Sequence, residues 1–305
     1  MNWFLIALIN PIVHAFANHF DKYLITRFIK GGAVGALILF SSLFAIVALP
    51  VIWFIHPGVF EAMSPMRAII LMMAGGFMVI AVLFYLYALE FSEASYVAPF
   101  FQLIPVFGFI LGYFILGEVL SAMQLWAGGL IVLGGIVLSL ELAEPKFRIK
   151  HKLVFLMIGS SFFYALNAVL FKLIAVSQGF LDSLFWNMLG MVVVGIILFV
   201  TVKSYRREFL GLIESNHYSV IGLNALNDLL GLIGEAALVY AVLFAPVALV
   251  QAVGGLQPMF VFILGLIITW FFPKFGRESL LFHHLAQKIT GIAIISAGVY
   301  LLVLK

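Results

Sequence analysis

"YALEFSEASYVAPFFQLIPVFGFILG" (residues 87–112) and "YAVLFAPVALVQAVGGLQPMFVFILG" (residues 240–265) are one segment written twice. Aligned without a gap at an offset of 153, they agree at eleven of 26 positions: Tyr87, Ala88, Phe91, Val97, Leu103, Pro105, Phe107, Phe109, Ile110, Leu111 and Gly112. The shared set includes a proline inside an apolar run and a glycine at its end, which oily composition alone does not supply. The likeness extends outward. "AGGLIVLGGIVLSL" (127–140) aligns with "TGIAIISAGVYLLV" (290–303). More weakly, "HAFANHFDKYLI" (14–25) aligns with "YALNAVLFKLIA" (164–175), pairing Lys22 with Lys172.

The chain around these repeats has 305 residues, 65% hydrophobic and 10% charged, with a mean hydropathy of +1.23. Soluble domains are near half apolar and a quarter charged, so this composition belongs to a membrane protein. The net charge of +3 sits in short loops between apolar runs, which argues against a nucleic-acid partner. No cysteine is present, excluding disulfides and thiolate metal sites. The opening "MNWFLIALINPIVHAFA" lacks a basic n-region and a small-residue cleavage site, so it reads as a retained first span.

Apolar runs fall at 3–25, 35–56, 67–89, 94–117, 121–142, 152–174, 183–203, 217–242, 246–270 and 283–304. They are continuous rather than alternating, which selects helices over a lipid-facing barrel. The expected fold is an all-α membrane protein with ten transmembrane helices in two inverted five-helix repeats. The expected boundaries are 1–144, a basic linker at 145–151, and 152–305. Five spans per repeat is an odd number, so the second half enters the membrane from the opposite side. Two such halves can rock about a shared midplane cavity.

"YALEFSEASYVAPFFQLIPVFGFILGYFILGE" (87–118) resembles the EamA-type domain of the drug/metabolite transporter superfamily. The resemblance rests on the Ala-Leu pair, the small residues, the proline and the terminal Leu-Gly-Glu, and the second half repeats it through Pro258 and "FILG". It implies two tandem domains, a central cavity lined from both halves, and transport of a small solute without a cofactor. The second half departs at its end, reading "TWFFPKFGRESL" (269–280), where Glu278 would stand for Glu118 only after seven extra residues.

The eighth run, "GLNALNDLLGLIGEAALVYA" (222–241), carries Asn224, Asn227, Asp228 and Glu235. At 100° per residue these share an arc of about 100° with Gly231. A central ionised Asp costs at least ~2.5 kcal/mol on insertion scales, so such a face turns to the bundle interior or a wet cavity. The positions at the same offset in the first half are Leu71, Ala74, Gly75 and Val82. The scaffold therefore does not require the acids, which points to a proton or cationic-substrate site. Helix-end snorkelling is the plain alternative.

Further polar residues fall in helices that the resemblance implies line the cavity: His14, Asn18 and Lys22 in the first, Asn167 and Lys172 in the sixth, Gln102 and Gln251 in the fourth and ninth. For the amides, interhelical hydrogen bonding serves as well as substrate contact. For the lysines, snorkelling or pairing with an acid serves equally well. Pro105 and Pro258 are expected as repeat-related mid-helix kinks that act in gating.

Loops after helices 1, 5, 7 and 9 hold eleven basic residues against three on the other side. The positive-inside rule then puts both termini outside, whereas the resemblance implies termini in the cytoplasm. The leading function is secondary active export or exchange of an amino-acid-like or cationic metabolite, possibly proton-coupled, in the cell membrane. The alternative is a non-transporting receptor or assembly factor on a transporter scaffold. A membrane enzyme is disfavoured: His14 and His19 point about 140° apart and no paired metal-ligand spacing occurs. Expected partners are a small-molecule substrate and membrane lipid, with a homodimer left open.

Overall fold

The computed structural model describes residues 2–27, 34–60, 63–91, 97–139, 151–215, 218–271 and 282–303, with no strand among them. The helices are α1 (Asn2–Arg27), α2 (Val34–Ile55), α3 (Pro65–Phe91), α4 (Ile104–Leu111), α5 (Ala122–Ser139), α6 (His151–Gln178), α7 (Phe180–Thr201), α8 (Lys203–Ser215), α9 (Tyr218–Ala241), α10 (Val247–Val253), α11 (Gln257–Phe271) and α12 (Phe282–Val303). Five helical stretches are long and apolar enough to cross a bilayer: α2, the Pro65–Ala88 part of α3, α6, α7, and Val247–Ile268, which runs through α10 into α11. Shorter apolar stretches are Trp3–Ala17, Phe100–Leu116, Ala122–Val137 and Ala286–Leu301. Helices satisfy their own backbone groups, which is what lets such oily segments lie in hydrocarbon.

Two of the expected spans are not single α-helices. The run at 94–117 contains a 3₁₀ turn (Ala98–Leu103), α4 and a π turn (Gly112–Leu116). The run at 246–270 contains α10, a 3₁₀ turn (Gly254–Leu256) and α11. Pro105 and Pro258 were expected in mid-helix. Both lie inside the helical stretches Phe100–Leu116 and Val247–Ile268, each as the second residue of the α segment that follows a 3₁₀ turn. Proline lacks an N–H, and first-turn N–H groups need no partner within the helix, so this is where proline disturbs least. The proline that does interrupt a helix near the polar residues is Pro11, inside α1.

Helix α8 replaces an expected loop. "KSYRREFLGLIES" is amphipathic. Tyr205 and Phe209 pack on a core of Ile38, Leu39 and Val79, while Lys203, Ser204 and Arg207 are exposed. Glu208 Oε2 accepts a bond of 2.9 Å from the Gly35 amide at the start of α2, where the helix dipole favours an anion. The Tyr87 and Tyr205 hydroxyls also bond to each other. Burial first, and then Tyr87, push the Tyr205 phenol above its ordinary value.

The helices sort into two groups. One packs α9 and α11 on α1; the other packs α2, α3, α6, α7 and α8 together. Between them run α4 against α10 and α5 against α12. Within the second group, α3 and α7 lie very close. A Cβ on Gly75 would come within 1.9 Å of the Asn187 carbonyl oxygen, and one on Gly190 within 2.1 Å of the Met72 carbonyl oxygen. In α9 the positions equivalent to Ala74 and Gly75 are Asn227 and Asp228, and α9 meets α2 only lightly. Small residues thus seat α3 on α7.

Candidate functional site

Glu235 lies where the two groups meet. The Tyr164 hydroxyl, on α6 of one group, donates to its Oε1. From the other group, His14 Nε2 on α1 lies 3.4 Å from the same oxygen. Tyr164 and His14 are each near the middle of their helices. Both carboxylate and imidazole keep some exposure, at 21% and 26% of their side chains. Asn10 stands one turn before His14 on the same face of α1. A Cβ on Gly234 would come within 3.3 Å of His14 Nε2 and 3.5 Å of Asn10 Nδ2. Asn10 is only 6% exposed. Neither its Nδ2 nor His14 Nε2 has a hydrogen-bond partner among the described residues. A buried amide left so costs roughly 1–3 kcal/mol, and a polar ligand would relieve that cost.

Asp228 faces the groups' other contact. It lies seven residues before Glu235, about 10 Å along the helix, and accepts a bond of 3.0 Å from Ser41 Oγ on α2. Asn227 is half-buried beside it. The side chains of Asn224, Asn18 and Lys22 lie outside the described residues.

Lys172, toward the other end of α6, is held by Glu118. Lys172 Nζ is 2.6 Å from Glu118 Oε1 and 2.6 Å from the Ala245 carbonyl oxygen. Glu118 Oε2 accepts a bond of 2.9 Å from the Val247 amide. Its reach comes from glycine. Gly117 takes a left-handed φ of 69° and ends the π turn, and the chain folds back so that a Cβ on Gly112 would sit 2.7 Å from Glu118 Oε2. The Leu-Gly…Gly-Glu spelling thus places a carboxylate.

The expected amides divide by role. Asn167 Nδ2 donates to the Ala74 carbonyl at 2.8 Å, so it ties α6 to α3. Gln102 is buried beside Gly135 and Gly255, and the latter is its own counterpart in the repeat. Gln251 is buried against Gly108, and its amide has no partner among the described residues. Gln102 lies in the 3₁₀ turn before α4 and Gln251 lies in α10. Sequence reading passed over Asn10 as a site residue. The signal was available: an Asn-Pro pair in an apolar run, four residues before a histidine.

On comparison with known proteins, residues 1–140 match the EamA-like transporter family. No curated protein matches. A solved structure described only as the crystal structure of a protein shares this fold at a TM-score of 0.65. It is 15% identical, and the match covers 99% of this chain and 96% of that one.

Proposed function

We propose, from the match of residues 1–140 to the EamA-like transporter family, that the chain is a secondary active transporter of the drug/metabolite transporter superfamily built from two such units. Each unit supplies five spans, the second inverted relative to the first, giving ten in all at the boundaries 1–144 and 152–305. The packing supports this reading. Exchange every helix for its repeat partner and α1–α9 becomes α6–α3, while α1–α11 becomes α6–α4; all four pairs are in contact. The pairs α2–α7 and α5–α12 map onto themselves and are also in contact.

The single observation that carries the transport site is Glu235, held between Tyr164 of one helix group and His14 of the other. A carboxylate bridging two bodies that rock against each other is placed to exchange its partners for a proton or a cationic group of the substrate. Asn10 and His14 supply polar groups for a small amine or amino-acid-like metabolite. Asp228, two turns away, gives a second acidic station along the same face. Pro105 and Pro258, at the 3₁₀-to-α joints, are where α4 and α11 can flex. The basic loops and amphipathic α8 favour a cytoplasmic position for that face, with the termini outside and the protein in the cell membrane. Export is the favoured direction.

The test is metabolite profiling of cells and medium, with the chain produced and with an empty vector, in a medium containing amino acids, amines, sugars and nucleosides. The reading predicts that one class of small amine-bearing metabolite is redistributed. Redistribution of none of these classes would contradict it.

A further inference from the structure

We infer that Glu118 and Lys172 form the gate on the face where α6 and α9 end, and that the turn between α9 and α10 is its moving part. The inference rests on the transporter reading.

The two charged residues are fixed in one body. Lys172 projects from α6, and Glu118 follows α4 and its π turn, which pack on α6. Together they reach across to the second body by two hydrogen bonds, both to backbone: Lys172 to the Ala245 carbonyl, and the Val247 amide to Glu118. These groups flank Pro246, so the turn presents one acceptor and one donor on a stiffened segment. Elsewhere α6 touches α9 and α10 little. Beside the packing of α4 along α10, this contact closes one end of the crossing whose middle is Glu235.

The chemistry suits a contact that opens and re-forms. When the turn departs, Glu118 and Lys172 remain paired with each other. No isolated charge is left behind, and each freed backbone group reaches the water that opening admits. A structural ion pair bridging the two bodies directly would separate its charges on opening. This one separates only hydrogen bonds from the pair to a turn.

The absence of cysteine makes the test direct. Leu238 is 5% exposed and lies between Glu235 and the turn, in the core with Phe171 and Val242. Leu238→Cys, the sole cysteine, is labelled with a membrane-impermeant maleimide in vesicles of each orientation. With the gate intact, labelling is slow. Glu118→Gln or Lys172→Met is expected to raise the rate at least fivefold in one vesicle orientation only, with melting checked to confirm folding. If neither folds, Glu118→Asp keeps the charge but is too short to hold both partners, and is expected to raise labelling, whereas Lys172→Arg preserves protection. Unchanged labelling in folded Glu118→Gln and Lys172→Met, or in Glu118→Asp, would overturn the gate. If labelling responds but the parent moves no metabolite, the gate stands and the transporter reading falls.

Discussion

Adding one methyl group to Gly190 tests the close contact between α3 and α7. A Cβ there would lie 2.1 Å from the Met72 carbonyl oxygen and 2.5 Å from its Cα. Ordinary contact begins at 3.4 Å. The obstacle is backbone, so α7 must retreat by more than 1 Å rather than a side chain turning aside. Overpacking of this kind costs about 1–3 kcal/mol, and a backbone clash belongs at the upper end. Better helix propensity of alanine returns about 1 kcal/mol. A net loss of about 2 kcal/mol follows, or a fall in melting temperature on the order of 4–8 °C by the scaling for large domains. Gly75→Ala, facing the Asn187 carbonyl, is expected to behave alike. Gly231→Ala is the internal control: its Cβ would meet nothing within 4 Å, so stability should hold or rise by up to ~1 kcal/mol. The assay is thermal unfolding of the purified proteins in one detergent. A Gly190→Ala protein that melts at or above the parent would refute this close backbone packing of α3 on α7.

Tyr164→Phe removes a hydrogen bond to a carboxylate, worth about 1.5–3 kcal/mol. It should slow transport by tenfold or more at unchanged membrane level, read as initial rate of substrate movement. Glu118→Ala leaves Lys172 buried without its partner, a loss on the order of 3–5 kcal/mol. The double variant with Lys172→Met should melt higher than Glu118→Ala alone, and a lower melting point would remove the ion-pair account. Tyr205 contributes stability that is complete below the ordinary tyrosine range and is lost as pH rises above about 10 toward its raised folded value. Tyr205→Phe should flatten the alkaline loss of melting temperature, and an unchanged slope would count against it.

The helical class and the long apolar helices were legible because they depend on composition and period, which survive any packing. The polar face of α9 was legible for the same reason: carboxylates in an oily run are conspicuous. Partners were not. Nothing in the spacing of α6 says that Tyr164 meets Glu235, since that pairing depends on how two bodies dock. Lys172 was an ambiguous helix-end lysine until Gly117 turned Glu118 back toward it. Asn167 shares the cavity-lining pattern but ties α6 to α3, because Ala74 offers a reachable carbonyl. The 3₁₀ turns before Pro105 and Pro258 were not legible because a 3₁₀ turn and an α-helix have the same apolar signature. Helix α8 was missed because its charge lowers its hydropathy, while the amphipathic period that reveals it becomes meaningful only against the surface it covers.

The measurement that bears most directly on Glu235 is substrate accumulation in vesicles under an imposed pH gradient, for the parent and for Glu235→Gln. One carboxylate at the crossing implies one proton per cycle, so a step of one pH unit can drive up to about tenfold accumulation. The parent is expected to accumulate substrate in response to the gradient. Glu235→Gln is expected to exchange substrate across the membrane without accumulating it. Equal accumulation by both proteins would contradict the placement of coupling at Glu235.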